Sequence, residues 1–142
     1  MKITEKHFVV EASRDRVWRL IGKVIFSSLP GMENIDIVDE NRFRAIMRMK
    51  VLFVEVKMNL QGEMVDMSPP DSFAVRLALE GPGRLFRIDQ RVSFSMAAVE
   101  KEKTAVACEL TAEKMGILFR GQARRFATSV FDAIEKRLKE LL

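Results

Sequence analysis

Tyrosine is missing from this chain of 142 residues, and cysteine, histidine and tryptophan occur once each. A single cysteine excludes an internal disulfide. Cys108 falls in an apolar stretch, so a reducing cytoplasm is the expected setting and a small buried hydrophobe its expected role. The lone histidine, His7, has the opposite parity to Phe8 and Val10 in an alternating segment and is expected to face solvent. That removes it from any Ser-His-Asp or Cys-His arrangement, and one cysteine with one histidine cannot furnish a tetrahedral metal site. No catalytic residue, metal or cofactor is expected. Long apolar runs are lacking too. None approaches the ~20 residues that span a bilayer, and the opening Met1-Lys-Ile-Thr-Glu-Lys6 does not read as a signal peptide. Without a repeat, a low-complexity tract or a linker, residues 1–142 read as one domain, long enough to bury a substantial core.

What is present describes a globular protein: 48% apolar and 31% charged residues, with a net charge of +4. So mild an excess would assist contact with an anionic membrane or an acidic partner without requiring either. The most informative pattern is an alternation of period two. One side carries Phe43, Ala45, Met47, Met49 and Val51, then Val54, Val56, Met58, Leu60 and Met64. The other carries Arg42, Arg44, Ile46, Arg48 and Lys50, then Glu55, Lys57, Asn59, Gln61 and Glu63. This predicts two antiparallel strands, covered on one face and wet on the other. Methionine adapts to irregular apolar shapes, so the covered face reads either as a core with methionine as filler or as the wall of a site for a greasy ligand.

Along the rest of the chain, Lys2 to Glu11 alternates as a first strand. Ser13 suits a helix N-cap, and Val17, Trp18, Leu20 and Ile21 give that helix its apolar face. Gly22 weakens its continuation, so a second short helical turn is expected over Val24 to Ser28, before Leu29-Pro30-Gly31. Strands follow over Asn34–Val38, Phe43–Val51, Val54–Met64, Ser72–Leu79, Leu85–Val99 and Thr104–Ala112, with breaks at Met67–Asp71 and Gly81–Gly83. From Leu118 to Leu142, Phe119, Ala123, Phe126, Val130, Ile134, Leu138 and Leu141 recur at helical spacing. The predicted fold is α+β: a strongly bent seven-stranded antiparallel sheet, two short helices after strand one, and a long C-terminal helix across the concave face.

Phe8-Val9-Val10 followed by Ser13 and Val17-Trp18, Leu29-Pro30-Gly31 with Glu33-Asn34-Ile35, Leu60-Gln61-Gly62, and the closing amphipathic helix carry a resemblance over nearly the whole chain. In these residues and in its order of elements, the sequence resembles the START-like (SRPBCC) helix-grip superfamily of pollen allergens, polyketide cyclases and lipid-transfer domains. Within it, the sequence is most similar to the carbon monoxide dehydrogenase CoxG family. The resemblance implies an apolar cavity between sheet and helix, of the kind that holds lipids, sterols, quinones or polyketides. One departure is Leu52-Phe53 at a hairpin tip where the family usually carries Gly-Pro.

The expected function is therefore non-catalytic binding or carriage of a hydrophobic small molecule such as a fatty acid, lipid or quinone. Met47, Met49, Met58, Leu60, Met64, Phe73, Val75, Leu77, Phe94, Phe119, Phe126 and Val130 would enclose its apolar part. Gln90, flanked by Ile88 and Val92 on an apolar face, either orients the ligand's polar end or turns outward at a bulge. Arg84 and Arg87 are solvated charges or meet a head group at the mouth. Access would require the long helix or Leu29–Met32 to shift. Leu52 and Phe53, two large apolar residues at a turn, suggest a homodimer, a protein partner or a peripheral membrane contact. The competing readings are a dehydrogenase accessory protein acting through such contacts, and a cyclase-type enzyme. Arg120, Arg124 and Arg125 cluster early in the long helix, but Phe119 and Phe126 belong to its buried stripe, so nucleic-acid binding is not expected.

Overall fold

The computed structural model describes residues 1–29, 32–51, 53–84, 87–113 and 115–142, with the backbone alone for residues 49, 51, 84, 117 and 118. Strand β1 (Lys2–Val10) leads into helix α1 (Arg14–Ser27). Strands β2 (Met32–Asp39), β3 (Arg42–Val51), β4 (Val54–Ser68), β5 (Ser72–Glu80), β6 (Arg87–Glu100) and β7 (Lys103–Ala112) follow, and helix α2 (Ile117–Leu141) closes the chain. The seven strands form one antiparallel sheet in the order β1-β7-β6-β5-β4-β3-β2, leaving β2 and β1 at its edges.

Alternation fixes which face is covered. Phe43, Ala45, Met47, Met58 and Leu60 are buried, whereas Arg42, Arg44, Arg48, Asn59 and Gln61 are exposed. On the wet face of β2–β3, Arg42 pairs with Asp39, Arg44 with Asp36, and Arg48 with both Glu33 and Glu55. Such exposed pairs contribute little to stability, but they fix which side of the edge faces water. The period-two pattern stops at Met64 for a visible reason. Asp66 takes a φ of 50°, and the register with β5 shifts between Val65 and Ser68, so parity is lost although the strand continues.

One expectation is corrected. The segment after β1 is a single helix of 14 residues, not two short ones. Gly22 in its middle costs about 1 kcal/mol relative to alanine. Val17, Ile21 and Val24 are buried on both sides of that glycine, and burying each such side chain is worth about 1.5–3 kcal/mol, so packing outweighs propensity. Ser13 caps the start by accepting from the Arg16 N–H. At the other end, the Ser27 and Ser28 hydroxyls both donate to the Val24 carbonyl.

Helix α2 is held on the sheet's inner face by Val130, Phe131, Ile134 and Leu138, all buried in the common core, with Phe131 edge-on to Phe94 at 6.3 Å. Its rim is tied to β1 by Lys6, which pairs with Asp132 and, at 2.7 Å, with Glu135. The ammonium groups of Lys139 and then Lys6 hold the Glu135 carboxyl below its ordinary value. A depressed folded-state pKa stabilises the fold above the unfolded carboxylate value of about 4.3, and that contribution is lost as pH falls through the lower folded value. Between pH 5 and pH 3, the urea midpoint of the wild type should therefore fall more steeply than that of Glu135→Gln. Parallel curves would contradict the linkage.

Candidate ligand cavity

The inner faces of central strands are normally covered completely, yet Leu77 on β5 and Gln90 and Val92 on β6 remain partly exposed. A cavity of about 120 Å³ lies above them, walled by the sheet below, α2 above and the C-terminal half of α1 at one side. Of the residues expected to line a site, Met47, Leu60, Met64, Phe73, Val75, Leu77, Gln90, Phe94, Phe119, Phe126 and Val130 all lie on its wall. Met58 does not. It sits opposite Met47 in the ladder and is fully buried as core filler. The side chain of Met49 lies outside the described residues, as do Leu52 and the side chain of Arg84.

Sequence reasoning missed the contribution of α1. Gly22, Ile25, Phe26 and Leu29 line the cavity, and Gly22, Phe26 and Leu29 recur at helical spacing that shows only when the helix is read straight through the glycine. Met32, Met115 and the small residues Ala123 and Ala127 complete the wall among others. The alanines leave the hollow beneath α2.

Phe43 shapes the mouth. It faces Gly62 across the β3–β4 ladder, and a Cβ placed on Gly62 would stand 2.2 Å from its ring. The ring therefore lies over the bare glycine backbone, an arrangement that only glycine permits. On its other side, the Phe26 ring meets it edge-on at 5.3 Å.

Polar groups on the wall are few. Gln90 sits between Leu77 and Ala112 in the ladders, faces the cavity, and its carboxamide makes no hydrogen bond among the described residues. Arg87 is engaged outside the cavity with Glu80 and Asp89. Arg124 donates to the Ile3 carbonyl and Arg120 to the Met115 carbonyl, so two of the three clustered arginines brace α2. Burial pushes the Cys108 thiol up to about 12, which leaves it protonated and unreactive at neutral pH. His7 is exposed beside Glu5. No group of three metal-binding side chains occurs among the described residues, and no described helix is long and apolar enough to cross a membrane.

Comparison with known proteins agrees with this architecture. The profile of the carbon monoxide dehydrogenase CoxG family matches residues 7–139. The chain belongs to the CoxG family. No curated protein matches it in sequence. Among solved structures, a conserved protein from Geobacillus kaustophilus superimposes with a TM-score of 0.75 at 16% identity, covering 96% of this chain and 94% of that one. A START superfamily protein from Mycobacterium smegmatis gives 0.60 at 13% identity over 96% and 94%. The Zhui aromatase/cyclase of Streptomyces sp. R1128 gives 0.52 at 14% identity over 96% and 88%. At these identities the likeness is one of fold, and the START-like fold is the one this CoxG-family chain adopts.

Proposed function

We propose that this CoxG-family protein binds a hydrophobic small molecule of the fatty acid, lipid or quinone class, without converting it, in the cavity beneath α2. The observation that carries this reading is the hollow above Leu77, Gln90 and Val92, inner-face residues of the central strands that a filled core would cover. Binding is by desolvation, each buried ligand methylene contributing about 0.8 kcal/mol before the costs of ordering. Ligand pockets typically enclose ~300–1,000 Å³, more than the resting cavity. Met32, Met47, Met64 and Met115 line it, and methionine's three rotatable bonds let such a wall yield to a larger guest.

Gln90 would supply the orienting hydrogen bond. A carboxamide does not titrate, so this lining favours holding a ligand over the acid–base chemistry that a cyclase-type reaction requires. Phe53 is 100% exposed beside the half-exposed Val54, which supports a second, accessory role through a protein, homodimer or membrane contact at the hairpin tip.

Hexan-1-ol, short enough to enter the resting cavity, tests the binding reading. With the methionine methyl groups labelled for NMR, the resonances of Met32, Met47, Met64 and Met115 should shift on titration, while those of the exposed Met1 and Met67 stay. Equal shifts at all sites, or none, would contradict it.

A further inference from the structure

The geometry points to a ligand with one uncharged hydrogen-bonding end and a single long apolar tail, seated with its polar end at Gln90 and its tail leaving over the β2 edge. This deepens the binding reading and rests on it.

Three observations converge. The first is a cross-strand row. Ile37, Phe43, Gly62, Leu77 and Gln90 are successive partners across β2, β3, β4, β5 and β6, and directly opposed residues project from the same face. At about 4.8 Å per strand, this row runs roughly 19 Å from the edge to the carboxamide. Its floor is apolar throughout and unobstructed at Gly62, where the Phe43 ring lies over the bare backbone.

The second is volume. A cavity of about 120 Å³ is on the scale of one that holds a single benzene ring, so a longer molecule has to emerge from it. The outer end of the row is where apolar surface continues into solvent. Phe26, which lines the cavity, is 41% exposed, and Ile37, directly beside Phe43, is 60% exposed. A tail leaving over Phe43 between them would cover both.

The third is charge. None of the described residues lining the cavity is ionisable, and Gln90 is its one side-chain hydrogen-bonding group. A carboxylate brought there would be buried without a counter-charge, which is strongly unfavourable, whereas a hydroxyl or carbonyl is satisfied by a carboxamide.

The test uses intrinsic fluorescence. Trp18 is the only tryptophan, there is no tyrosine, and its ring is edge-on to the cavity residue Phe73 at 5.5 Å, so the signal reports the site alone. Hexan-1-ol, octan-1-ol, decan-1-ol, dodecan-1-ol and dodecanoate are titrated at pH 8 into the wild type, Ile37→Asp and Gln90→Leu. In the wild type, affinity should rise by up to about fourfold per added methylene along the alcohols, and dodecan-1-ol should bind at least tenfold more tightly than dodecanoate. Ile37→Asp, at an already exposed position, should weaken dodecan-1-ol at least tenfold and leave hexan-1-ol unchanged. Gln90→Leu should weaken both alcohols, about threefold to tenfold.

If hexan-1-ol fails to bind, the binding reading falls and the path with it. If it binds but affinity is flat from six to twelve carbons, or Ile37→Asp affects short and long chains alike, the path is overturned while the cavity stands as a site. Dodecanoate binding as tightly as dodecan-1-ol would overturn the uncharged end.

Discussion

Gly62→Ala is expected to cost roughly 1–3 kcal/mol of stability and to close the route across the sheet at the same time. The added methyl would lie 2.2 Å from Cε1 of Phe43, well inside contact distance. Phe43 is buried and has Phe26 edge-on to it, so its ring can move only into the cavity or out through the mouth. Either displacement removes packing, and the first also fills space that a ligand would use. A double-mutant cycle separates this clash from a backbone effect. Phe43→Ala alone should cost about 3–5 kcal/mol, and adding Gly62→Ala to it should then cost little, because the obstructing ring is gone. Urea unfolding of the four proteins checks this. Additive losses would show that Gly62 is required by its own backbone rather than by Phe43.

Ala123→Phe should abolish ligand binding while leaving the fold largely intact. Ala123 is buried on the cavity-facing side of α2. A phenyl ring is close in size to what a cavity of about 120 Å³ contains, so the substituted side chain becomes the occupant. Stability should change by less than about 1.5 kcal/mol, because the overpacking penalty is offset by apolar burial in space that is otherwise empty. Affinity for any ligand of the site should fall more than tenfold. Trp18 fluorescence titration and thermal unfolding on the same preparation report the two quantities. Unchanged affinity in a folded variant would place the binding surface elsewhere.

Much of this architecture was legible in the residues, and the failures have physical causes. The alternation from Phe43 to Met64 located the covered face because a half-buried sheet imposes period two on its side chains. Asp66, with its left-handed φ, marks where that rule stops working, since a bulge destroys parity without ending the strand. Gly22 misled because local propensity is a weak prior against the burial of Val17, Ile21 and Val24. Breaking the helix there hid Phe26 and Leu29 from the expected wall. Met58 shows the limit of parity itself. The pattern assigns a side chain to a face, but whether the space above it is hollow depends on the helix that packs there. The same limit explains Ala123 and Ala127, whose contribution is the volume they leave empty. Gln90 was visible as the one polar residue out of place on an apolar face, and it lies on the cavity wall. No local signal distinguished that placement from an outward bulge.

The central claim is that the hollow beneath α2 is a site for a hydrophobic molecule. Its most direct test is to purify the protein under native conditions, denature it, and analyse what is released by mass spectrometry, with Ala123→Phe prepared in parallel. About one hydrophobic molecule per chain is expected from the wild type and none from the variant. A wild type that releases nothing, and that also fails to take up long-chain alcohols, fatty acids or quinones when they are offered, would contradict it and leave the exposed hairpin tip at Phe53 as the surface to pursue.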